Sequence, residues 1–401
     1  MTKLKFPFYL QILAGMIAGA VFGLVFPQFT GWVTPIGAIF IKLLRLIVIP
    51  LIFVSIVDGV IRVGSAEKLS TIGLKTTAFY LTTNFLAVLT SLALSNLIRP
   101  GDGVQIFGAA DPARAIKVFR VSDLIPDNIF AALANADTFQ IIFVAIICGA
   151  GMLIIREKVP TLIRLASEAN ELLLSLTQGV IALAPIGVFG LLAGMVNAID
   201  WGTLVGVGKF AAVILIGLMI HGCITLPIFF KAFSDRPLPD FLKKMQPALL
   251  TAFSTSSSSA TLPVTMECIE KEAGIPKEIA GFVLPIGAVV NMDGTAIYEA
   301  AACLFVAQAI GVDLSLGQQI VVLFLSALAA IGAASIPSAG LITLTMVLTA
   351  VGLPVEGIGF LLAIDRPLDM SRTIVNVWGD MVGCVVVEGK TKKMKNIPKK
   401  N

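Results

Sequence analysis

The chain has 401 residues, 57% of them hydrophobic and only 13% charged, against roughly 25% charged in ordinary soluble domains. With a mean hydropathy of +0.95, that composition excludes a soluble globular protein and requires an integral membrane one. The net charge of +4 comes mainly from Lys390, Lys392, Lys393, Lys395, Lys399 and Lys400, a tail that reads as a solvated cytoplasmic end beside membrane lipid rather than a nucleic-acid patch.

In chain order, Lys3 and Lys5 precede an apolar stretch from Phe6 to Phe26. That stretch is long enough to span, so it is expected as a first helix and not as a cleaved signal. Further spans are expected at Ile36 to Val60, Ile72 to Leu97, Thr138 to Ile155, Leu172 to Val196 and Val205 to Phe230. Between Arg99 and Thr138, Asp102, Asp111, Arg114, Lys117, Arg120, Asp123, Pro126 and Asp127 suggest an external loop and a broken entry to the fourth helix. The seventh and eighth spans, Ile279 to Ala309 and Ile358 to Val387, carry polar residues in their middles. An even count puts both termini on one side. Arg62 with Lys68, Arg156 with Lys158, and Arg236 with Lys243 and Lys244 fall in alternate loops on that same side, expected to be cytoplasmic. Cys148, Cys223, Cys268, Cys303 and Cys384 stand singly in apolar sequence, as packing residues do.

Two further apolar segments are interrupted, Pro247 to Leu262 by the run Thr251 to Pro263 and Ile320 to Val351 by Gly332 to Gly340. Each reads as two half-length helices joined by a small-residue tip. Broken backbone at membrane depth is tolerated where it is buried in protein or lines a wet cavity, which a re-entrant hairpin provides. The two tips approach from opposite faces, and each hairpin has one polar-centred helix beside it in the chain. Such an inverted repeat points to a transporter's midplane site.

Asn291-Met-Asp-Gly-Thr295 interrupts the seventh helix, so carbonyls are freed beside Asp293 and oxygens collect as a cation requires. The competing reading is a kink satisfied by neighbouring serines. Glu299 lies one turn beyond Thr295, either as a proton carrier or as a permanent hydrogen-bond partner. In the eighth helix, Asp365, Asp369, Arg372, Asn376 and Asp380 fall within roughly 80° around the axis and about 22 Å along it. A stripe of three carboxylates and one guanidinium is too costly to face lipid and calls for cations. The serine tip seats a carboxylate, Arg372 a second one, and Asp369 an ammonium, which together describe an acidic amino acid. An internal bridge from Arg372 to Asp369 or Asp365 is equally open. The single histidine, His221, reads as a packed or hydrogen-bonded residue; no nucleophile elbow accompanies it, so a protease is disfavoured. A channel is disfavoured by the guanidinium in the cation path.

Ser256 to Pro263, Asn291 to Thr295, Gly332 to Gly340 and Asp369 to Asp380 resemble the motifs of the dicarboxylate and amino acid:cation symporters, a family that includes excitatory amino acid transporters and archaeal aspartate transporters. The resemblance covers nearly the whole chain. It implies an all-α membrane protein with eight transmembrane helices and two re-entrant hairpins, assembled as a homotrimer and working by an elevator motion in the cell membrane. Residues 1–70 and 101–200 would form the scaffold, 71–100 and 201–389 the moving transport domain with the external hairpin as gate, and 390–401 the basic tail. The expected activity is not enzymatic but sodium-coupled, and also proton-coupled, uptake of glutamate or aspartate, with potassium a further ion. C4-dicarboxylate or neutral amino acid symport, or an anion conductance, are the alternatives.

By the resemblance, substrate would meet Ser256, Ser258, Thr295, Ile336, Gly340, Asp369, Arg372, Thr373 and Asn376. One sodium site would use Gly287, Asn291, Asn376 and Asp380; a second Val289, Met292, Ala330, Ile331 and Ala333; a third Tyr80, Thr83, Asn84, Asn291 and Asp293. Glu299 matches the family's proton-carrying position. The chain departs from the pattern at Ser256 and Met370, where a second arginine is usual, with Arg366 one turn before Met370 as its stand-in. It departs also at Ser335 in the external tip and at Asn84 in the third sodium site. Pro367 frees the carbonyl of Ala363 beside Asp365.

Overall fold

The computed structural model describes residues 8–65, 70–104, 125–135, 138–196, 201–332, 340–355 and 358–389, and among these every regular element is helical. The expected basic tail, most of the external loop, and Ala333, Ser335 and Ile336 lie outside the described residues.

Helix α1 (Phe8–Val25) ends before Pro27, which opens a short 3-10 turn, and the axis swings by 108° into α2 (Thr30–Ser65). Helix α3 (Ser70–Ile98) follows, then α4 (Ile129–Ala134), capped by the Asn128 side chain, and α5 (Thr138–Ile154). The expected fifth span, Leu172 to Val196, is not one helix. It divides into α6 (Pro160–Ile181) and α7 (Ala184–Met195). Pro185 in the first turn of α7 has no N–H for the carbonyl of Ile181 and its ring clashes with that carbonyl, so α6 stops there.

Helix α8 (Trp201–Ile220) runs through a wide π turn (His221–Thr225) into α9 (Leu226–Phe233), one continuous stretch of 33 residues. The first interrupted segment is α10 (Leu238–Thr255) and α11 (Ser258–Glu267), reversing at Ser256 and Ser257 and packed against one another. The seventh expected span is α12 (Lys277–Val290) and α13 (Asp293–Ala309), broken at Asn291 and Met292 as the motif predicts. The second interrupted segment gives α14 (Leu316–Gly332) and α15 (Gly340–Ala350), also packed together, and α16 (Ile358–Glu388) closes the described chain.

By length and composition, and among the described residues, Ile72–Ile98, Trp201–Phe233 and Lys277–Ala309 can each cross a membrane, and Ala14–Val25 with Pro27–Phe40, bent by 108°, pass the same test only when taken together. Shorter apolar helical runs at Ile49–Ile61, Phe143–Ile154 and Ala184–Gly194 lie within other expected spans, and Leu316–Ala330 lies in the second interrupted segment. Helix α16 has the length but carries Asp365, Arg366, Asp369, Arg372 and Asp380, so hydropathy alone passes it over.

Two groups of helices emerge from the packing. In the first, α1, α2, α5, α6 and α7 lie against one another. Gly15, Gly19 and Gly23 of α1 meet the carbonyls of Pro185, Phe189 and Ala193 of α7 so closely that a β-carbon at any of them would collide. This is the small-residue contact that joins helices where lipid removes the hydrophobic drive. The one buried carboxylate of this group among the described residues, Asp58, accepts hydrogen bonds from Ser167 Oγ at 2.6 Å and Asn170 Nδ2 at 3.1 Å on α6. In the second group, α3 and α8 to α16 pack around α13 and α16. Helix α13 is buried at every position from Asp293 to Gln308. The groups meet chiefly where α2 touches α14 and α15, with smaller contacts of α5 with α15, of α1 and α7 with α16, and of α2 with α12.

Candidate ion and substrate site

The break at Asn291 and Met292 organises the centre of the second group. Asn291 adopts φ −86°, ψ 87°, outside the helical region, so the first amides of α13 have no partner on α12 and must find one elsewhere. The Gly294 N–H donates to Asn376 Oδ1 of α16 at 2.7 Å. Asn291 Nδ2 donates to Asp380 Oδ1 at 2.9 Å and to the Asn376 carbonyl at 3.1 Å, and Asn376 Nδ2 donates to Met292 Sδ at 3.3 Å. Asn291 Oδ1 is buried without a hydrogen bond. Gly287 completes the cluster: a β-carbon there would lie 2.5 Å from Asp380 Oδ1 and strike the Tyr80 hydroxyl. Gly287, Asn291, Asn376 and Asp380, which the family resemblance groups, are therefore brought together.

Asp293 opens α13, fully buried. Its Oδ1 accepts from Thr83 Oγ1 of α3 at 3.3 Å, and its Oδ2 from His221 Nε2 at 2.9 Å. Tyr80 donates to the Val283 carbonyl at 3.1 Å. Beside Thr83, both amide atoms of Asn84 are buried without a hydrogen bond. Of the remaining expected ion ligands, Val289 lies on α12, Met292 in the break, and Ala330 and Ile331 at the end of α14, which packs against α12. Ala333 falls outside the described residues. The side chains gathered here, Asn291, Asn376 and Asp380 in one cluster and Thr83 and Asp293 in the other, offer amide, hydroxyl and singly charged carboxylate oxygens, the kind that suit a hard cation.

On α16, Arg372 is 1% exposed. Its Nη2 donates to Asp365 Oδ1 at 2.7 Å and to Asp369 Oδ1 at 3.1 Å, so the internal bridge is present with both carboxylates. Its guanidinium carbon sits 3.9 Å over the Tyr298 ring. Nε and Nη1 have no hydrogen-bond partner. Nη1 points to the start of α15: a β-carbon on Gly340 would lie 2.8 Å from it and 3.6 Å from Thr295 Cγ2. Arg366 Nη1 reaches Asp369 Oδ2 at 3.5 Å, and Thr373 Oγ1 donates to the Asp369 carbonyl at 2.8 Å.

The serine tip is built by a strained residue. Ser256 takes φ 51°, ψ 37°, the left-handed region that a non-glycine residue adopts at a cost. It ends α10 and leaves its own Oγ buried and unpartnered. Ser257 caps α11 by accepting from the Ala260 N–H at 3.2 Å, and Ser258, the first residue of α11, is buried. Helix α11 packs against α16. Glu299 is fully buried on α13, its carboxyl beside the Thr343 hydroxyl of α15 and within electrostatic reach of Arg372.

Three contributors escaped the sequence reading. His221 is hydrogen-bonded, as expected, but its partner is Asp293, 72 positions away. Tyr298 underlies Arg372, and Trp378 Nε1 donates to the Gly222 carbonyl at 3.0 Å. The proline of His-Gly-Cys-Ile-Thr-Leu-Pro227 signals the wide turn that presents His221, but nothing local names its partner.

The sequence profile of the sodium:dicarboxylate symporter family matches residues 8–390. The chain is 33% identical to a proton/glutamate-aspartate symporter of Bacillus subtilis over 94% of its own length and 93% of the relative's. It is also 33% identical to a C4-dicarboxylate transport protein of Paracoccus denitrificans, covering 94% of this chain and 86% of the relative. Mouse excitatory amino acid transporter 3 is 33% identical over 89% of this chain and 79% of its own.

Proposed function

The chain belongs to the sodium:dicarboxylate symporter family, and from that premise we propose that it couples inward sodium flow to uptake of an acidic amino acid, glutamate or aspartate. The observation that carries this reading is Arg372. It is buried, its charge is balanced by Asp365 and Asp369, and yet Nε and Nη1 are left without acceptors beside Gly340 and Thr295. Burying guanidinium donors unmet costs about 1–3 kcal/mol or more. A substrate carboxylate removes that cost, and only an acidic substrate brings one to spare after its α-carboxylate is met by the serine tip and the first amides of α11. Asn376 and Thr373 line the same face of α16, and Asp369 would turn to the substrate ammonium.

Sodium would enter the two clusters around Asp380 and Asp293, where carboxylates stand beside interrupted helix, and a third position between Val289, Met292, Ala330, Ile331 and Ala333. Glu299, buried between Thr343 and Arg372, would carry a proton with the substrate, and an ionised Glu299 would favour potassium on the return. The α1, α2, α5, α6 and α7 group would be a trimeric scaffold and the α3 and α8 to α16 group the part that moves, with α14 and α15 as the external gate. Both termini would be cytoplasmic.

One observation favours a second reading. Asp369 already faces two guanidinium groups, those of Arg372 and Arg366, so a C4-dicarboxylate with no ammonium would leave this arrangement intact. Uptake of radiolabelled aspartate, glutamate and succinate into proteoliposomes, with sodium, proton or no gradient, separates the two. Sodium-driven amino acid uptake is expected; transport of succinate alone, or of none of the three with sodium, overturns the proposal.

A further inference from the structure

The chain's one histidine is not used by the transport scheme above, yet it is fully buried with its Nε2 2.9 Å from Asp293 Oδ2. Its position follows from a local rule. Pro227 has no N–H for the carbonyl of Cys223, so the helix cannot keep its ordinary ladder there. The Leu226 N–H instead reaches back five residues to the His221 carbonyl, making the π turn. Trp378 of α16 takes the Gly222 carbonyl inside that turn at 3.0 Å. The turn is thus fixed from α16 and presents the imidazole to α13. His221 Nδ1 is buried without a partner, so a hydrogen there would be unsatisfied. The ring hydrogen therefore sits on Nε2 and is donated to the carboxylate.

We infer that His221 is a positioning residue for Asp293, holding Oδ2 so that Oδ1, beside Thr83, is the oxygen presented to a cation. Trp378 acts one step further out, by holding the turn. This rests on the reading of Asp293 as a sodium ligand. Outer partners that orient a ligating carboxylate matter because a free carboxylate rotates, and losing them typically weakens cation affinity about 10–100-fold.

The test is sodium titration of the purified full-length protein against a choline background, with sodium half-saturation read from the rise in melting temperature. His221→Phe, which keeps a ring but no donor, is expected to raise the half-saturation about 10–100-fold. His221→Gln, whose amide can still donate to Asp293, should lie nearer wild type, and Trp378→Phe should shift in the same direction by less. Asp293→Asn separates the two levels of the claim. If wild type shows no sodium effect, or Asp293→Asn retains the wild-type half-saturation, the reading of Asp293 fails and the inference with it. If Asp293→Asn loses sodium affinity while both His221 variants and Trp378→Phe stay within about two-fold of wild type, the positioning role alone is wrong. A purely structural role would lower every melting temperature in choline without moving the half-saturation, which also overturns it. Should His221→Phe fail to fold, His221→Gln and Trp378→Phe decide by the same criterion.

Discussion

The two groups of helices hold buried polar atoms in opposite ways. In the α1, α2, α5, α6 and α7 group, the buried carboxylate Asp58 meets Ser167 and Asn170, and α1 and α7 close onto each other through glycines and carbonyls. Among the described residues, no buried side-chain nitrogen or oxygen of that group lacks a hydrogen bond. In the α3 and α8 to α16 group, Asn84, Asn291 Oδ1, Ser256 Oγ and Arg372 Nε and Nη1 are all buried and unmet. Each such atom costs about 1–3 kcal/mol while it stays unmet. The difference teaches that one part meets its buried polar atoms from its own neighbours, while the other keeps unmet atoms around α13 and α16, where the proposed ligands would supply partners.

The sharpest way to break the comparison is Arg372→Ala. Removing one partner of a desolvated ion pair costs about 3–5 kcal/mol, so uptake of acidic substrate should fall by roughly 100-fold or more. Tracer uptake into proteoliposomes checks this, and normal aspartate or glutamate transport by the variant would remove Arg372 from the site. Asp380→Asn comes next. Asp380 is bound by Asn291 and crowded by Gly287, and the neutral amide should raise the sodium half-saturation about 10–100-fold with a shallower dependence. Unchanged sodium curves would dissolve the proposed cluster.

Glu299→Gln is expected to keep sodium-dependent exchange and to lose proton movement with substrate. A pH-sensitive dye inside the vesicles reads it, and equal proton flux in the variant assigns the proton elsewhere. The first group should answer differently. Gly19→Leu drives a side chain into the Phe189 carbonyl and should destabilise by about 1–3 kcal/mol, seen as a lower melting temperature in detergent, with sodium and substrate half-saturation unchanged in the molecules that remain folded. The smallest effect is expected for Asp58→Asn, about 1 kcal/mol of stability and no change in ion dependence. A shift in sodium affinity from either of these last two would show that the groups are not separable as described.

Much of this was legible before any coordinates. Composition required a membrane, the length of the apolar stretches marked the helices, and the breaks at Asn291 and at the serine tip followed from residue type, because Asn, Gly and Ser compete with the helical backbone locally. The division of the expected fifth span at Pro185 was missed, because a hydropathy window averages over one proline in an apolar run. The polar stripe of α16 was also legible, since helical spacing alone puts Asp365, Asp369 and Arg372 on one face. What spacing could not settle was whether Arg372 forms the internal bridge, and it does so through Nη2, while Nη1 has no partner.

The sequence by itself determined the membrane setting, the helices, the two interrupted segments and the residue types gathered at the centre, since all of these depend on neighbours within a turn or two. Only the tertiary structure decided which of those residues share an atom's reach. Thr83, His221 and Asp293 come from α3, the turn after α8, and α13, and Gly287 lies against Asp380 from across α12 and α16. Contacts of that kind are set by how helices pack, through distances of a few ångströms between segments dozens to hundreds of positions apart. No local pattern encodes them, because each helix would look the same in sequence whichever neighbour it met.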